Sequence, residues 1–183
     1  MPQIRRAINR AKVAGTRLKG WTRHVQNCLD LIKDDIKADW TVWPWNYPVP
    51  DFPPRMPSGR PWPKISIVTV SKNQGQYIEA TIRSVLMQRY PNLDYIVIDG
   101  DSADGTKIIL NRYRHELSVC LSEADTGQSH AINKGFSYAT GEILAWLNSD
   151  DQYLPVSLRA AALAFDANQA VLILVACQCI KDH

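Results

Sequence analysis

Two aspartates stand side by side at Asp150 and Asp151, behind the apolar run Ile143 to Leu147 and the pair Asn148-Ser149. Adjacent acids directly after a buried strand are costly unless a cation or hydrogen-bond donors meet them. Mg²⁺ and Mn²⁺ take hard oxygen ligands and need only one or two protein carboxylates when a substrate brings phosphate oxygens. The pair therefore points to a divalent cation that neutralises phosphates. Other acids also follow apolar runs: Asp99, Asp101 and Asp104 after Ile98, and Glu123 and Asp125 after Leu121. Each alone reads as a turn or helix cap. Together they ask for one rim, which capping does not require. Other ways of gripping phosphate are missing. The loop Ser71 to Gly75 has one glycine where a dinucleotide fingerprint needs three, and no G-x4-G-K-[ST] sequence occurs. No Ser or Cys pairs with a His at a motif spacing, so covalent hydrolase chemistry is unsupported, and His115 and His130 read as helix-end residues.

The elements that must carry these loops alternate along the chain. Ile65 to Val70 is rich in β-branched residues and predicts a strand. Tyr77 to Gln88 predicts a helix with Ile78, Ile82, Val85 and Leu86 on one side, stopped by Pro91. Asp94 to Ile98 predicts a second strand. A helix capped by Asp104 or Thr106 runs to about His115, and Ser118 to Leu121 is a short third strand. Ser129 to Ala139 is a helix closed by Gly141 as a left-handed cap. Ile143 to Leu147 is a fourth strand, whose Trp146 and Leu147 should bury the base of the acidic motif. Pro155 opens a helix at its first position, running to about Ala167, and Val171 to Ile180 is a fifth strand. This order argues an α/β fold, a Rossmann-type and mostly parallel sheet flanked by helices. Ligands of such sheets bind beyond the carboxyl ends of the strands, where the acidic loops fall.

Upstream the composition changes. The chain has 183 residues, 45% hydrophobic and 21% charged, which excludes a chain disordered throughout and a collagen. It has no run of apolar residues long enough to code a membrane span. Residues 1–39 form a basic amphipathic helical arm whose first acid is Asp30, although the whole chain carries a net charge of only +3. Ile4, Ile8, Ala11, Leu18, Val25, Leu29 and Ile32 make its apolar stripe. The arm reads as a docking helix or as a peripheral contact with an anionic membrane. Residues 40–63 are a linker holding eight of the eleven prolines and four of the six tryptophans, which suit a strap packed on a domain surface. Residues 64–183 carry the sheet. Cys28, Cys120, Cys177 and Cys179 fit no common zinc spacing and read as buried free thiols, consistent with a reducing cytoplasm.

Several segments, in order, carry a resemblance: Pro63 to Asn73, Ile96 to Thr106, Ser122 to Gly127, Ala131 to Gly135, Ala139 to Glu142 and Leu147 to Asp151. Over about Pro63 to Phe165 the chain resembles the family 2 glycosyltransferases of the GT-A fold. The resemblance implies a UDP- or GDP-sugar donor bound with Mn²⁺ or Mg²⁺, and inverting transfer to a hydroxyl of a carbohydrate or glycolipid acceptor. It places Thr69, Ser71 and Asn73 by the base and ribose. It places Asp99 at the base, with Gly100 in place of the second acid and Asp101 as its stand-in. Asp125 falls near the nucleoside, and Lys134 faces the donor or completes a surface. The D-x-D motif reads Asn148-Ser149-Asp150, so Ser149 joins the donor residues, Asp150 takes the metal and Asp151 assists it.

The family's general base lies well downstream of the metal motif, and no residue here is assigned that role. The stretch from Lys64 onward is short for a complete fold of this kind. The expectation is a donor-binding half, apparently truncated. A catalytically incomplete nucleotide-sugar-binding or assembly module is the alternative, and a nucleotidyltransferase would want a basic, glycine-rich first loop. Nothing in the pattern calls for nucleic acid. A cytoplasmic location is expected, with a peripheral position on the inner face of the membrane through residues 1–39.

Overall fold

The computed structural model describes residues 44–45 and 51–167. The arm of residues 1–39 and the expected strand over residues 171–180 lie outside the described residues, as do Cys28, Cys177 and Cys179. The elements are β1 (Ile65–Ser71), α1 (Ile78–Leu86), β2 (Leu93–Asp99), α2 (Thr106–Tyr113) with a 3-10 turn at Arg114–Glu116, β3 (Val119–Ser122), α3 (Gln128–Tyr138), β4 (Ile143–Asn148) and α4 (Ser157–Ala167). The strands and helices expected within this range are present, with their ends shifted by a residue or two.

The four strands form one parallel sheet in the order β3-β2-β1-β4. Every residue of β1 is buried, which is why its sequence is a continuous β-branched run and not an alternation. The chain lays down β1, β2 and β3 outward, then returns to the other side of β1 for β4. Strand order therefore reverses between β1 and β4, the place where open α/β sheets form a crevice. The register sets Ser71 opposite Asp99 and Val70 opposite Asn148, so the loops after these strands start level with one another.

Helix α3 covers β1 and β2. Val68, Val70, Ile96, Ile98 and Ala131 make the buried cluster, with Ile132 and Phe136 packed against it. Burying each of the larger side chains contributes roughly 1.5–3 kcal/mol, enough in sum to fix α3 on the sheet. The segment before β1 is anchored by aromatic contacts. Phe52, Trp62 and Tyr90 meet edge to face, with centroids 4.9, 5.4 and 6.0 Å apart. Trp62 Nε1 donates to the Pro53 carbonyl at 2.8 Å, and the Tyr90 hydroxyl donates to the Pro63 carbonyl at 2.8 Å. The Arg83 guanidinium lies 4.6 Å from the Trp45 ring centroid and donates to the Trp45 carbonyl.

Three local expectations are corrected. Gly141 is not a left-handed cap: α3 ends at Ala139 in extended backbone (φ −67°, ψ 133°). Gly141 lacks a side chain because the chain passes close to β1, where a Cβ would lie 2.6 Å from the Ser66 amide nitrogen and 2.8 Å from the Lys64 carbonyl. Pro155 does not open a helix, because Val156 follows it at φ 60°, outside helical space, and α4 starts at Ser157. Trp146 does not bury the base of the acidic motif. Among the described strands β4 lies at the sheet's edge, and it turns Leu144 and Trp146 to one exposed side while Ile143 and Leu147 are buried.

The turn after α3 is locked by Asp94 on β2. Its Oδ2 accepts from Ser66 Oγ at 2.6 Å and from the Thr140 amide and hydroxyl at 3.0 Å each, while Ser66 Oγ also accepts from the Gly141 amide. The sheet and helices α1 to α3 belong to one compact unit. Helix α4 lies in a second unit, and its buried residues Leu158, Ala162 and Leu163 fall on one side of it.

Candidate functional site

The reversal point carries a cleft of about 590 Å³. One wall is the end of β1 and its loop, with Ser71, Lys72 and Gln74. The other is the end of β4, with Asn148, Ser149 and Asp150. The entry to α3 closes the third side with Asp125, Gly127 and Gln128. Lys72 is the one Lys or Arg lining the cleft among the described residues.

The first loop owes its shape to the second. Three successive amides of residues 73–75 donate to side chains after β2: Asn73 to Ser102 Oγ at 2.7 Å, Gln74 to Thr106 Oγ1 at 3.2 Å and Gly75 to Asp104 Oδ2 at 2.9 Å. Asn73 answers by accepting the Ala103 amide at Oδ1, at 2.9 Å, from a left-handed backbone (φ 54°) that asparagine tolerates. Asp104 also accepts the Thr106 amide, and its hydrogen bonds from Thr106 and Gly75 hold its carboxyl below the usual range.

Beneath both loops, Asp99 is fully buried. Its carboxylate accepts the Ser102 amide at 2.9 Å, the Ser102 hydroxyl and the Ser122 hydroxyl at 2.6 Å. Asp99 thus ties the loops after β2 and β3 together and does not line the cleft. Thr69 is likewise withdrawn, its hydroxyl 3.0 Å from the Tyr95 hydroxyl in the core. Asp101 is exposed outside the cleft lining and pairs with Lys107 at 2.5 Å, which holds its carboxyl below the ordinary range. Lys134 pairs with Glu123 at a surface, away from the cleft lining.

Of the remaining expected residues, Ser71, Asp125, Ser149 and Asp150 line the cleft, and Asn73 and Asp151 do not. Ser71 lines the cleft, is 6% exposed, and among the described residues its hydroxyl has no hydrogen-bond partner. Gln74 Oε1 is in the same state. Two buried polar atoms without partners in one cleft mark a surface built to meet something else. Asp125 lines the cleft and accepts the Gly127 amide at 2.8 Å. Ser149 and Asp150 line it too, whereas Asp151 does not.

The acidic loop is held from below by α1. Thr81, Ser84 and Gln88 are almost fully buried. The Thr81 hydroxyl lies 2.7 Å from the Ser149 carbonyl and 2.8 Å from that of Asp151, a three-centre bond. Ser84 Oγ accepts the Tyr153 amide at 3.1 Å, and Gln88 Nε2 donates to the Leu154 carbonyl at 2.9 Å. Laterally, Gln128 Nε2 donates to Asn148 Oδ1 at 2.7 Å and Asn148 Nδ2 donates to Asp151 Oδ2 at 3.2 Å. The sequence reading singled out none of Lys72, Gln74, Thr81, Ser84, Gln88 and Gln128. Thr81, Ser84 and Gln88 stand at steps of three and four along α1 and just past its end.

Comparison with known proteins decides the family. The description "Glycosyl transferase family 2" matches residues 66–183. The chain belongs to glycosyltransferase family 2. Among its relatives, TuaG of Bacillus subtilis, a glycosyltransferase whose name connects it with teichuronic acid biosynthesis, is 38% identical over 94 residues, 50% of this chain and 37% of that protein. The Escherichia coli protein WfgD, named a UDP-Glc:alpha-D-GlcNAc-diphosphoundecaprenol beta-1,3-glucosyltransferase, is 35% identical over 91 residues, 49% of this chain and 36% of its own. The chain thus spans little more than a third of the curated relatives it matches. Residues 1–349 of Staphylococcus aureus TarS, solved with UDP-GlcNAc, superpose with a TM-score of 0.54 at 27% identity, covering 58% of this chain and 32% of that one. A mannosyltransferase of Pyrobaculum calidifontis, solved with GDP-Man and Mn²⁺, superposes at 0.52 and 22% identity over 87% of this chain and 43% of its own, a likeness of fold. The family 2 sheet is therefore the GT-A-like, Rossmann-type sheet read from the sequence.

Proposed function

We propose that the cleft binds the nucleotide part of a UDP- or GDP-sugar and presents the sugar for inverting transfer to an acceptor hydroxyl of a carbohydrate or glycolipid, this chain supplying the donor-binding half. The observation that carries the reading is the convergence of the unpartnered Ser71 hydroxyl, the unpartnered Gln74 carbonyl and the Asp150 carboxylate on one cleft at the strand reversal. Family membership and the UDP-GlcNAc complex of TarS support the same donor class.

Within this reading Ser71, Gln74 and Asp125 meet the polar edges of the nucleoside, with Asn73 shaping their loop. Lys72 places a fixed positive charge at the cleft, where a diphosphate carries its negative charge. Asn148-Ser149-Asp150 is the D-x-D-like motif. Among the described residues no group of three or more His, Cys, Asp or Glu gathers to cage a metal. Asp150 offers one hard oxygen donor to the cleft, and Asn148 Oδ1 is already taken by Gln128. That set fits Mn²⁺ or Mg²⁺ as a site shared with substrate phosphates, the usual habit of Mg²⁺. When bound, the cation supplies Lewis-acid stabilisation of the leaving diphosphate.

Calorimetric titration of the chain with UDP-sugars and GDP-sugars, with Mn²⁺ and with EDTA, tests the reading. Binding by the wild type that is lost in Asp150→Ala only in the presence of Mn²⁺ supports it. Absence of binding to the wild type, or binding unchanged in Asp150→Ala, overturns it.

A further inference from the structure

The cleft loops are joined by one lateral relay, Gln128 to Asn148 to Asp151, and its chemistry is directional. Asn148 uses both ends of its amide: Oδ1 accepts from Gln128 Nε2 at 2.7 Å and Nδ2 donates to Asp151 Oδ2 at 3.2 Å. A carboxylate at position 148 could still accept from Gln128, but it would face the Asp151 carboxylate with no proton between them. The amide therefore removes one negative charge from the motif and ties Asp151 back from the cleft, leaving Asp150 as its cleft-lining acid. Gln128 is the first residue of α3, directly after the Asp125–Gly127 turn, so the relay couples the nucleoside wall to the acidic loop across twenty positions of sequence. The Asp151 amide closes a turn onto the Asn148 carbonyl at 3.1 Å, so a shift of the Asn148 side chain is passed to the loop holding Asp150.

We propose that Gln128 is a positioning residue for the acidic loop, acting through Asn148. This rests on the donor-site reading above. A lone carboxylate is a poor site for a hydrated divalent ion, and phosphate oxygens complete it. The groups that orient such ligands typically change metal affinity by about 10–100-fold when removed.

The experiment uses the full chain and two readouts: free Mn²⁺ followed by its electron paramagnetic resonance signal, and UDP and GDP affinity measured by calorimetry in Mn²⁺ and in EDTA. Wild type is expected to bind Mn²⁺ about tenfold or more tightly with the nucleotide present than without it. Gln128→Ala and Gln128→Glu, neither of which can donate to Asn148, are expected to shrink the ratio of nucleotide affinity in Mn²⁺ to that in EDTA by about tenfold. Asn148→Asp is expected to bind Mn²⁺ without nucleotide more tightly than wild type, because a second carboxylate then joins Asp150 on the cleft lining. Equal Mn²⁺ affinity of the wild type with and without nucleotide overturns the proposal. So does an unchanged Mn²⁺-dependent gain in both Gln128 variants, or an equal loss in Mn²⁺ and in EDTA, which marks a general structural role. No nucleotide binding by the wild type in either medium brings down the donor-site reading itself, and this inference with it.

Discussion

Asp125 occupies space that a side chain at Gly100 would need: its Oδ2 lies 2.5 Å from the point where a Cβ at position 100 would stand. The Lys72 Cδ is 3.4 Å from the same point. The position where the family motif has a second acid is therefore filled from another loop. Gly100 is itself fixed, its amide donating to the Ser71 carbonyl at 2.8 Å. Gly100→Ala must push Asp125 or Lys72 aside. We expect a loss of about 1–3 kcal/mol in stability, as for overpacked sites, and a fall in donor affinity. In Gly100→Ala with Asp125→Ala the stability loss is expected to be largely relieved, so the effects are not additive. Thermal melting and calorimetry on the four proteins of that cycle check both statements. Additive losses would show that the two residues do not share space.

A second expectation concerns Thr81. Thr81→Val keeps the shape but removes the proton shared by the Ser149 and Asp151 carbonyls. Leaving buried acceptors unmet costs about 1–3 kcal/mol. Hydrogen exchange should report faster opening of residues 149–154 than of β1, and Mn²⁺-dependent donor binding should weaken. Unchanged exchange in that loop would contradict the role.

Acid sensitivity should trace in part to Asp94. Burial works to raise its carboxyl, and hydrogen bonds from Ser66, Thr140 and Ser118 outweigh burial and hold it below the usual carboxylate range. A depressed native value means that the ionised form stabilises the fold. That stability is fully present above the unfolded carboxyl's value and is lost as pH falls through the lower native one. Asp94→Asn should therefore be less stable than wild type at neutral pH, with the gap closing below about pH 4. Urea unfolding at a series of pH values reads it directly, and a pH-independent gap would contradict it.

For residues 1–39 the expectation rests on charge alone. The basic, initially acid-free arm should give weak binding to anionic vesicles that disappears at high salt. Sedimentation with phosphatidylserine vesicles, compared between the wild type and a variant with Arg5, Arg6 and Arg10 changed to Gln, tests it. Equal sedimentation of the two proteins would count against a membrane contact and leave the docking helix.

Much of the fold was legible because its strands are buried on both faces or end in polar loops. Ile65 to Val70 can hardly be anything but a central strand, and Asp150 follows a strand that the apolar run announces. What stayed hidden depends on distant partners. Thr81, Ser84 and Gln88 carry no sign of what they hold, because the carbonyls and amides they satisfy lie far along the chain. Asp99 read as a ligand-facing acid, because no local signal reveals that Ser102 and Ser122 have already claimed it. Lys72 and Gln128 carried no motif, and only the reversal of strand order sets them on a common cleft.

That reversal also fixes when, during folding, the cleft can exist. Three strands, β1 to β3, can assemble outward through successive helical crossovers between neighbours in sequence, but Val70 meets Asn148 only after the whole intervening chain has been laid down and closed. A chain emerging from its N-terminus would thus own a hydrophobic sheet well before it owned a nucleotide pocket. If the cleft takes a nucleotide as proposed, ligand present during refolding should stabilise the last strand to join and leave the earliest contacts unaffected.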